Sequence, residues 1–331
     1  MQPQTSNRRS YLLSTAGFLL AIFSICLIPA HYSHALTVSP ARIEISGDPG
    51  QTVKGQFKII NEQNGAQVFY SSTENFQAQG ETGTPSFVVG TDGLASWISL
   101  DPQIPLKAGE EKTVSFNVTI PKNTDPGGYF AAIFLSTTPS QNATTSVSVG
   151  AKIGILVLFH VNGDVKQSGG LLDFSTANNQ RIFSSLPVSF DYRFNNSGGD
   201  RVEPTGTITV KNSLFMTSAA LSANPSQGNV LPGSVRRFDI AWNPDQGTAP
   251  ASGFWSKVSY EWSHFAIGFY GAHLSIAYAG QNAPVQSSFT FFIFPWHIVL
   301  IIVIILAILG LILTKGIKRY NSYIIKAAQR S

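Results

Sequence analysis

The chain has 331 residues, of which 43% are hydrophobic and only 12% charged, so it is long enough for two domains and unusually poor in charge. Its net charge of +4 depends on seven basic residues at its two ends, which leave 15 Lys and Arg against 18 Asp and Glu, or −3, in the region between. Because that region is mildly acidic, we expect no nucleic-acid partner.

The N-terminal segment has the three-part layout of a secretory signal peptide. Two arginines precede an apolar run over 11–28, and small residues surround Ala35. We predict a signal peptide over 1–35, cut after Ala35. The apolar run favours general secretion and leaves twin-arginine export open. Cys26, the single cysteine, lies inside this segment, so we expect the mature chain to have no disulfide and no thiol chemistry.

The region 36–289 shows short runs of alternating apolar and polar residues and no convincing helical spacing. In TVSFNVTI, for example, Val114, Phe116, Val118 and Ile120 fall on one face and polar residues on the other. Such alternation is typical of half-buried strands, and Gly- and Pro-rich turns separate the runs. The pattern predicts an all-β fold of antiparallel sandwiches.

The second half of this region repeats three sequence motifs of the first half, in the same order. We therefore predict two tandem immunoglobulin-like β-sandwiches, over 36–165 and 166–290, that arose by duplication. The alternative is that unrelated sandwiches converge on one turn-and-strand pattern. The three echoes, in the same order, are FKIINEQNG with FDYRFNNSGG, LKAGEEKTVSF with LPGSVRRFDI, and GGYFAAIFLST with GFYGAHLSIAY.

The segment 294–314 carries no charged residue and predicts one transmembrane helix. About 20 helical residues, at roughly 1.5 Å each, cross a hydrocarbon core of roughly 30 Å. The tail 315–331 is basic and has no acidic residue, so the positive-inside rule places it in the cytoplasm and the body of the protein outside the cell membrane. The predicted membrane-interface residues are Trp296, Lys315, Lys318 and Arg319.

The first predicted sandwich resembles the N-terminal domain of the WxL-interacting proteins, a family of bacterial cell-surface proteins. The matching words are VSPARIEISGDPGQTVKGQFKIINEQ and SWISLDPQIPLKAGEEKTVSFNVTIPKNTDPGGYFAAIFLS, within residues 36–165. The layout of signal peptide, two immunoglobulin-like domains, one helix and a basic tail is also similar. The resemblance implies a membrane-anchored scaffold, with the first domain suited to peptidoglycan and the second to a protein partner.

Signatures of nucleotide and hydrolase chemistry are absent from the sequence, which contains no Walker A loop, GxGxxG, GxSxG or HExxH. We therefore predict no catalytic residue, no small-molecule cofactor and no metal site, and we expect that the protein is not an enzyme. His160, His264 and His273 have no recognised metal-ligand spacing, and we interpret them as structural.

The densest unusual feature is the aromatic segment 253–273. Aromatic rings fill cores, lie at lipid interfaces and anchor partners or glycans, and the sequence leaves these three roles open. If the segment binds a partner or a glycan, the candidate residues are Trp255, Trp262 and Tyr270.

These features predict a membrane-anchored scaffold or adhesion protein that binds a surface protein, peptidoglycan or both through its sandwiches. One alternative is a wall-active hydrolase whose carboxylate pair forms only on folding, for which the cleft would need two carboxyl groups about 5–9.5 Å apart. Another is an accessory subunit of a membrane complex. The carboxylates considered for the hydrolase are Glu110, Glu111, Asp173 and Glu261.

Overall fold

The computed structural model describes residues 36–88, 92–139, 152–214, 216–242, 252–281 and 283–328. The predicted signal peptide lies outside these residues. The helices are α1 (Leu94–Trp97), a 3-10 turn (Ala177–Asn179), α2 (Phe254–Ser263) and α3 (Trp296–Ala328). The strands are β1 (Leu36–Ser39), β2 (Arg42–Gly47), β3 (Thr52–Asn61), β4 (Gln67–Gln79), β5 (Thr84–Val88), β6 (Ile98–Ser99), β7 (Gln103–Leu106), β8 (Glu111–Thr119), β9 (Gly127–Ser136), β10 (Lys152–Val161), β11 (Gly169–Thr176), β12 (Ile182–Phe183), β13 (Val188–Asn196), β14 (Thr205–Asn212), β15 (Thr217–Ser222), β16 (Ser234–Trp242), β17 (Gly268–Ala277) and β18 (Val285–Ile293).

Sandwich 1 is built from β1 to β10. Its smaller sheet has the order β1-β3-β8-β6, and its larger sheet has the order β2-β10-β9-β4-β5, with β7 also paired to β4. The alternating apolar residues of TVSFNVTI face inward as predicted, and Val114, Phe116 and Val118 are buried between the sheets. The core therefore forms where the two inner faces meet.

Sandwich 2 is built from β11 to β18. A three-stranded sheet, β11-β13-β16, packs on a five-stranded sheet, β12-β18-β17-β14-β15. Its core is rich in aromatic rings, including Phe190 and Phe291, whose centroids are 5.7 Å apart. The chain thus contains two immunoglobulin-like β-sandwiches. The strands of sandwich 2 extend to Ile293, slightly beyond the expected end at 290.

The repeated words of the sequence occupy equivalent places in the two sandwiches. Asn61 ends β3 and Asn196 ends β13, and both side chains are fully buried. Asn61 Nδ2 donates to the carbonyl of Gly65, 2.9 Å away, and Asn196 Nδ2 donates to that of Asp200, 2.7 Å away, four residues on in each case. The first two repeated motifs therefore form the same asparagine-centred turn, which we call the corner, in each sandwich.

A glycine completes each of these corners. Gly109 and Gly233, which enter β8 and β16, have φ values of 70° and 68° and donate their N–H to the carbonyls of Asn61 and Asn196, each over 2.8 Å. Residues with a Cβ atom are disfavoured in this left-handed backbone conformation, so both turns require glycine.

The absence of helical spacing before residue 289 was a wrong expectation, because α2 is a ten-residue helix. Its only buried residue is Glu261, whereas its aromatic side chains are mostly exposed. The helix therefore has no apolar face turned to a core, which is the pattern that sequence periodicity detects. A hydrogen bond to the start of α3 holds it instead.

One helix among the described residues, α3, is long and apolar enough to cross a membrane, over Trp296–Ser322. It begins two residues later than the predicted segment because Phe294 still donates its N–H to the carbonyl of Phe183 beside the sheet. It also continues past Thr314, so the basic residues that follow are helical as far as Ala328.

Candidate functional site

The two sandwiches meet through a hairpin that reaches from one to the other. The turn between β4 and β5 carries Glu81, whose carboxylate accepts two hydrogen bonds from the guanidinium of Arg193 on β13, one of them 2.8 Å long. The carbonyl of Glu81 accepts a third, from the N–H of Arg237, at 2.7 Å. A bidentate arginine–carboxylate pair fixes the relative orientation of the two groups as well as their distance. The hairpin therefore orients one sandwich relative to the other.

Polar contacts also join the two sandwiches along β2 and near the end of β10. Arg201 donates to Glu44 at 2.9 Å, and Nδ1 of His160 lies 2.6 Å from a carboxylate oxygen of Asp200. Arg42 donates to the carbonyl of Gln227 at 2.8 Å. His160, expected to be structural, thus lies in the contact between the sandwiches.

The hairpin contact is expected to weaken in acid. Hydrogen bonding to Arg193 lowers the pKa of Glu81 below its ordinary value of 4.5. A lowered pKa means that the contact is fully formed above pH 4.5 and is lost as the pH falls through the folded-state value. We expect the hydrogen-exchange protection of the Arg237 amide, corrected for intrinsic exchange, to fall over that range. Glu81→Gln should remove this pH dependence, whereas Glu111→Gln, in a pair within sandwich 1, should leave it.

A cleft of about 230 Å³ lies behind this hairpin, between the sandwiches. Its floor includes Phe76, Leu156 and Leu158, which belong to the outer face of the larger sheet of sandwich 1. The inner face of β10 carries Ile155, Val157 and Phe159 in the core. Because outer faces of antiparallel sheets are commonly polar, an apolar outer face indicates a contact surface.

The apolar outer face extends from the cleft across β4, β5 and β9. The ring centroids of Phe76 and Phe87 are 6.1 Å apart, and those of Phe87 and Phe134 are 4.8 Å apart. Nζ of Lys152 lies 3.7 Å from the centroid of Phe134. Nζ of Lys152 also pairs with Glu74, 2.5 Å away, so this surface offers aromatic contacts beside an ion pair.

Arg236 is the principal polar group of the cleft wall. Its guanidinium lies between Gly83 of sandwich 1 and Gly228 of sandwich 2, where an added Cβ would come within 2.4 Å and 2.6 Å of Cζ. One nitrogen donates to the carbonyl of Asn229 at 2.8 Å, but Nε is buried and has no hydrogen-bond partner among the described residues. Burial lowers the pKa of Arg236, although a guanidinium stays charged at neutral pH.

The cleft can therefore hold a segment that presents apolar side chains and an acceptor or anionic group. The apolar floor supplies burial, and Arg236 supplies positive charge on the wall, whereas Arg42 is paired with Glu44, 3.0 Å away. An acceptor that pairs with a buried, unpaired donor stabilises the complex strongly, because folding has already removed water from that donor.

The aromatic residues proposed from the sequence are not brought together in this cleft. Trp255 and Trp262 lie on α2, at the opposite end of sandwich 2, and are 73% and 74% exposed. Tyr270 is only 8% exposed, and its ring packs on Trp242 and Phe291 in the core. Tyr270 is thus a core residue, in contrast to the two exposed tryptophans.

The predicted membrane-interface residues lie on α3. Trp296 is the first residue of the helix and is about half exposed. The apolar part of the helix is followed by three basic residues, Lys315, Lys318 and Arg319, close to the end of the candidate span at Ser322. The cations and the aromatic ring therefore lie at opposite ends of the apolar stretch.

The carboxylates considered for a hydrolase do not form a paired site in the described cavities. Neither the cleft nor a shallow depression around Lys211 and His273 is lined by Asp or Glu. Glu111 pairs with Lys58, and Glu110 accepts a hydrogen bond from the N–H of Lys107. Among the described residues, no group of three or more His, Cys, Asp or Glu could hold a metal ion.

Two strands of the larger sheet of sandwich 1 have sequences that could have indicated the apolar outer face. YFAAIFL in β9 and ILVLF in β10 are continuous apolar runs, which indicate strands that are covered on both faces. By contrast, Glu81, Arg193 and Arg236 stand among ordinary surface charges in the sequence, and only folding brings them to one interface.

No family model matches the chain, and no curated protein matches it. Among solved structures, a chain of the Salmonella enterica SafA pilin–SafB chaperone complex has a TM-score of 0.37 and 10% identity, covering 78% of this chain and 99% of its own. The Class 5 fimbriae chaperone CfaA has a TM-score of 0.36 and 11% identity, with coverage of 77% and 98%. The E. coli chaperone DraB has a TM-score of 0.35 and 10% identity, with coverage of 78% and 95%. All three TM-scores are below 0.5, so the function of this chain is argued from its own surfaces.

Proposed function

We propose that the protein is a membrane-anchored cell-surface scaffold that binds an extended segment of a partner protein in the cleft between its sandwiches. The observation that carries this proposal is the apolar outer face of sandwich 1, which runs into a cleft walled by Arg236 and Arg42. Covering such a surface with a partner removes apolar area from water, which favours binding.

The cleft also suggests the chemistry of the partner segment. Aromatic and aliphatic floor residues favour apolar side chains, and the unpaired Nε of Arg236 favours a carboxylate or carbonyl oxygen. The hairpin contact of Glu81 with Arg193 keeps both walls in place before binding. Such preorganisation lowers the entropic cost of association.

The anchor is the second part of the proposal. In our interpretation α3 crosses the membrane once, with the sandwiches outside and Lys315, Lys318 and Arg319 on the cytoplasmic side. We also propose membership of the WxL-interacting family, supported by the words quoted from sandwich 1. Peptidoglycan binding by that sandwich stays a prediction of the resemblance.

Photo-crosslinking on intact cells tests the binding site. A photoreactive residue in place of Phe87, which borders the floor and is about two-fifths exposed, should yield a discrete protein adduct. The same residue in place of the more exposed Leu172, on the outer face of sandwich 2, should not. Equal adducts from both positions, or none from position 87, would contradict the cleft as the site.

Arg236→Gln should weaken the adduct from position 87 by about tenfold or more, because it removes a desolvated charge from the contact. Arg237→Gln is the matched control, since this neighbour is exposed and pairs with Asp239 at 3.1 Å. An equal loss from both variants would show that general positive charge, and not the cleft, attracts the partner.

A further inference from the structure

The strand register gathers several loops at one end of sandwich 2. β17 begins at Gly268, which pairs with Ile293, the last residue of β18. β14 ends at Asn212, opposite Tyr270. The β14–β15 turn, the segment from α2 into β17, and the start of α3 therefore share the end from which α3 leaves.

Large apolar side chains are exposed at this end. Trp255 and Trp262 lie on α2, and Leu214, in the β14–β15 turn, is 72% exposed. We call this set of side chains the aromatic collar: Leu214, Trp255, Trp262, Phe265, Phe269 and Trp296. All six are exposed. Six large apolar side chains exposed at one end are unusual on a protein face in contact with water.

Among the described residues, the exposed charge around the collar is positive. The stretches nearest this end, 181–188, 209–214, 240–242, 252–272 and 289–295, contain one acidic residue, Glu261, and it is buried; Asp239, further along β16, is exposed and pairs with Arg237. Arg181 and Lys257 are exposed in the same segments. Anionic headgroups favour such cations beside apolar side chains.

The opposite end of sandwich 2 has the reverse character. Asp200 and Arg201 contact sandwich 1 there, and Ser226 and Gln227 are exposed beside them. Among the described residues of sandwich 2, the exposed large apolar side chains other than Leu172 thus lie toward the end nearest the membrane helix.

A buried contact fixes the collar to that helix. Glu261 accepts a hydrogen bond from the N–H of Ile298, 3.1 Å away, and its other oxygen lies 2.5 Å from Nδ1 of His297. The side chains of Glu261 and His297 are only 3% and 6% exposed. The orientation of α2 is therefore set by the first turn of α3.

We propose that the aromatic collar lies in the lipid–water interface of the membrane that α3 enters, so that sandwich 2 rests on the bilayer surface. This inference rests on the proposed anchoring by α3. Trp rings favour the headgroup region, Phe and Leu side chains favour its boundary with the acyl chains, and Trp296 of the collar is the first residue of the apolar helix α3. The collar would fix the tilt of the two sandwiches, and with it the height of the cleft above the bilayer.

Spin labels on the full chain in liposomes test this placement. Cysteines replace Trp262, Leu214, Leu306 and Ser226 one at a time in a Cys26→Ser background. Collisions with oxygen, which concentrates in lipid, are compared with collisions with a water-soluble nickel chelate. Leu306→Cys, in the middle of the span, is the deep reference, and Ser226→Cys, at the far end of sandwich 2, is the aqueous reference.

We expect oxygen-to-nickel collision ratios at 262 and 214 several-fold above that at 226 and below that at 306. If 306 is deep but 262 and 214 match 226, the collar does not contact lipid, while the anchor stands. If 306 itself is accessible to nickel, the anchoring fails and the collar placement with it. Labels at 262 and 214 that are shielded from both reagents would mean that a protein covers the collar, which overturns the lipid proposal.

Discussion

Asn196→Ala is expected to destabilise sandwich 2 by about 3 kcal/mol, because it leaves buried backbone groups without partners. Asn196 Nδ2 donates to the carbonyls of Asp200 and Val230, and Oδ1 accepts from the N–H of Gly198, all within 2.9 Å. Alanine can replace none of these bonds. Thermal unfolding of the full chain in nanodiscs should show the transition of sandwich 2 about 10 °C lower.

Asn195→Ala is the matched control, since this neighbour lies on the half-buried outer face of the same strand and should shift the transition little. Asn61→Ala should produce the corresponding loss in sandwich 1, where Nδ2 donates to Gly65 and Lys107. If Asn196→Ala were no more disruptive than Asn195→Ala, this corner would not be a source of stability in sandwich 2.

These two corners show how far sequence reasoning extends in this chain. The period-two alternation and the three ordered echoes predict paired sandwiches, because strand and turn preferences act over a few neighbouring residues. The echo around Asn61 and Asn196 even marks residues with the same hydrogen bonds. Local patterns of this kind survive in the sequence, since the residues that make them are close along the chain.

The helix α2 and the cleft depend on contacts between distant residues. Glu261 is 36 residues from His297, and Glu81 is 112 residues from Arg193. Nothing in FWSKVSYEWS specifies that its one buried side chain would be a glutamate. The aromatic content of this segment is as typical of strands as of helices, so tertiary contact decides its structure.

Glu261→Ala is expected to release α2 from the membrane helix, with a loss of about 3 kcal/mol in the free energy that holds the two together. The substitution leaves the N–H of Ile298 in the first turn of α3 and Nδ1 of His297 buried without an acceptor. Native-state hydrogen exchange should show faster opening of α2, reported by the amides of Lys257 and His264, which donate to Gly253 and Tyr260.

Ser256→Ala, an exposed change on the same helix, should leave that opening free energy nearly unchanged. The double variant Glu261→Leu with His297→Leu separates a specific polar tie from simple packing. Apolar pairs often replace buried polar pairs at little cost in stability, so the double variant should recover part of the loss. If Glu261→Ala opens α2 no faster than Ser256→Ala does, the pair does not hold the helix. The collar would then owe its position to lipid contact alone, and its depth would change with bilayer composition.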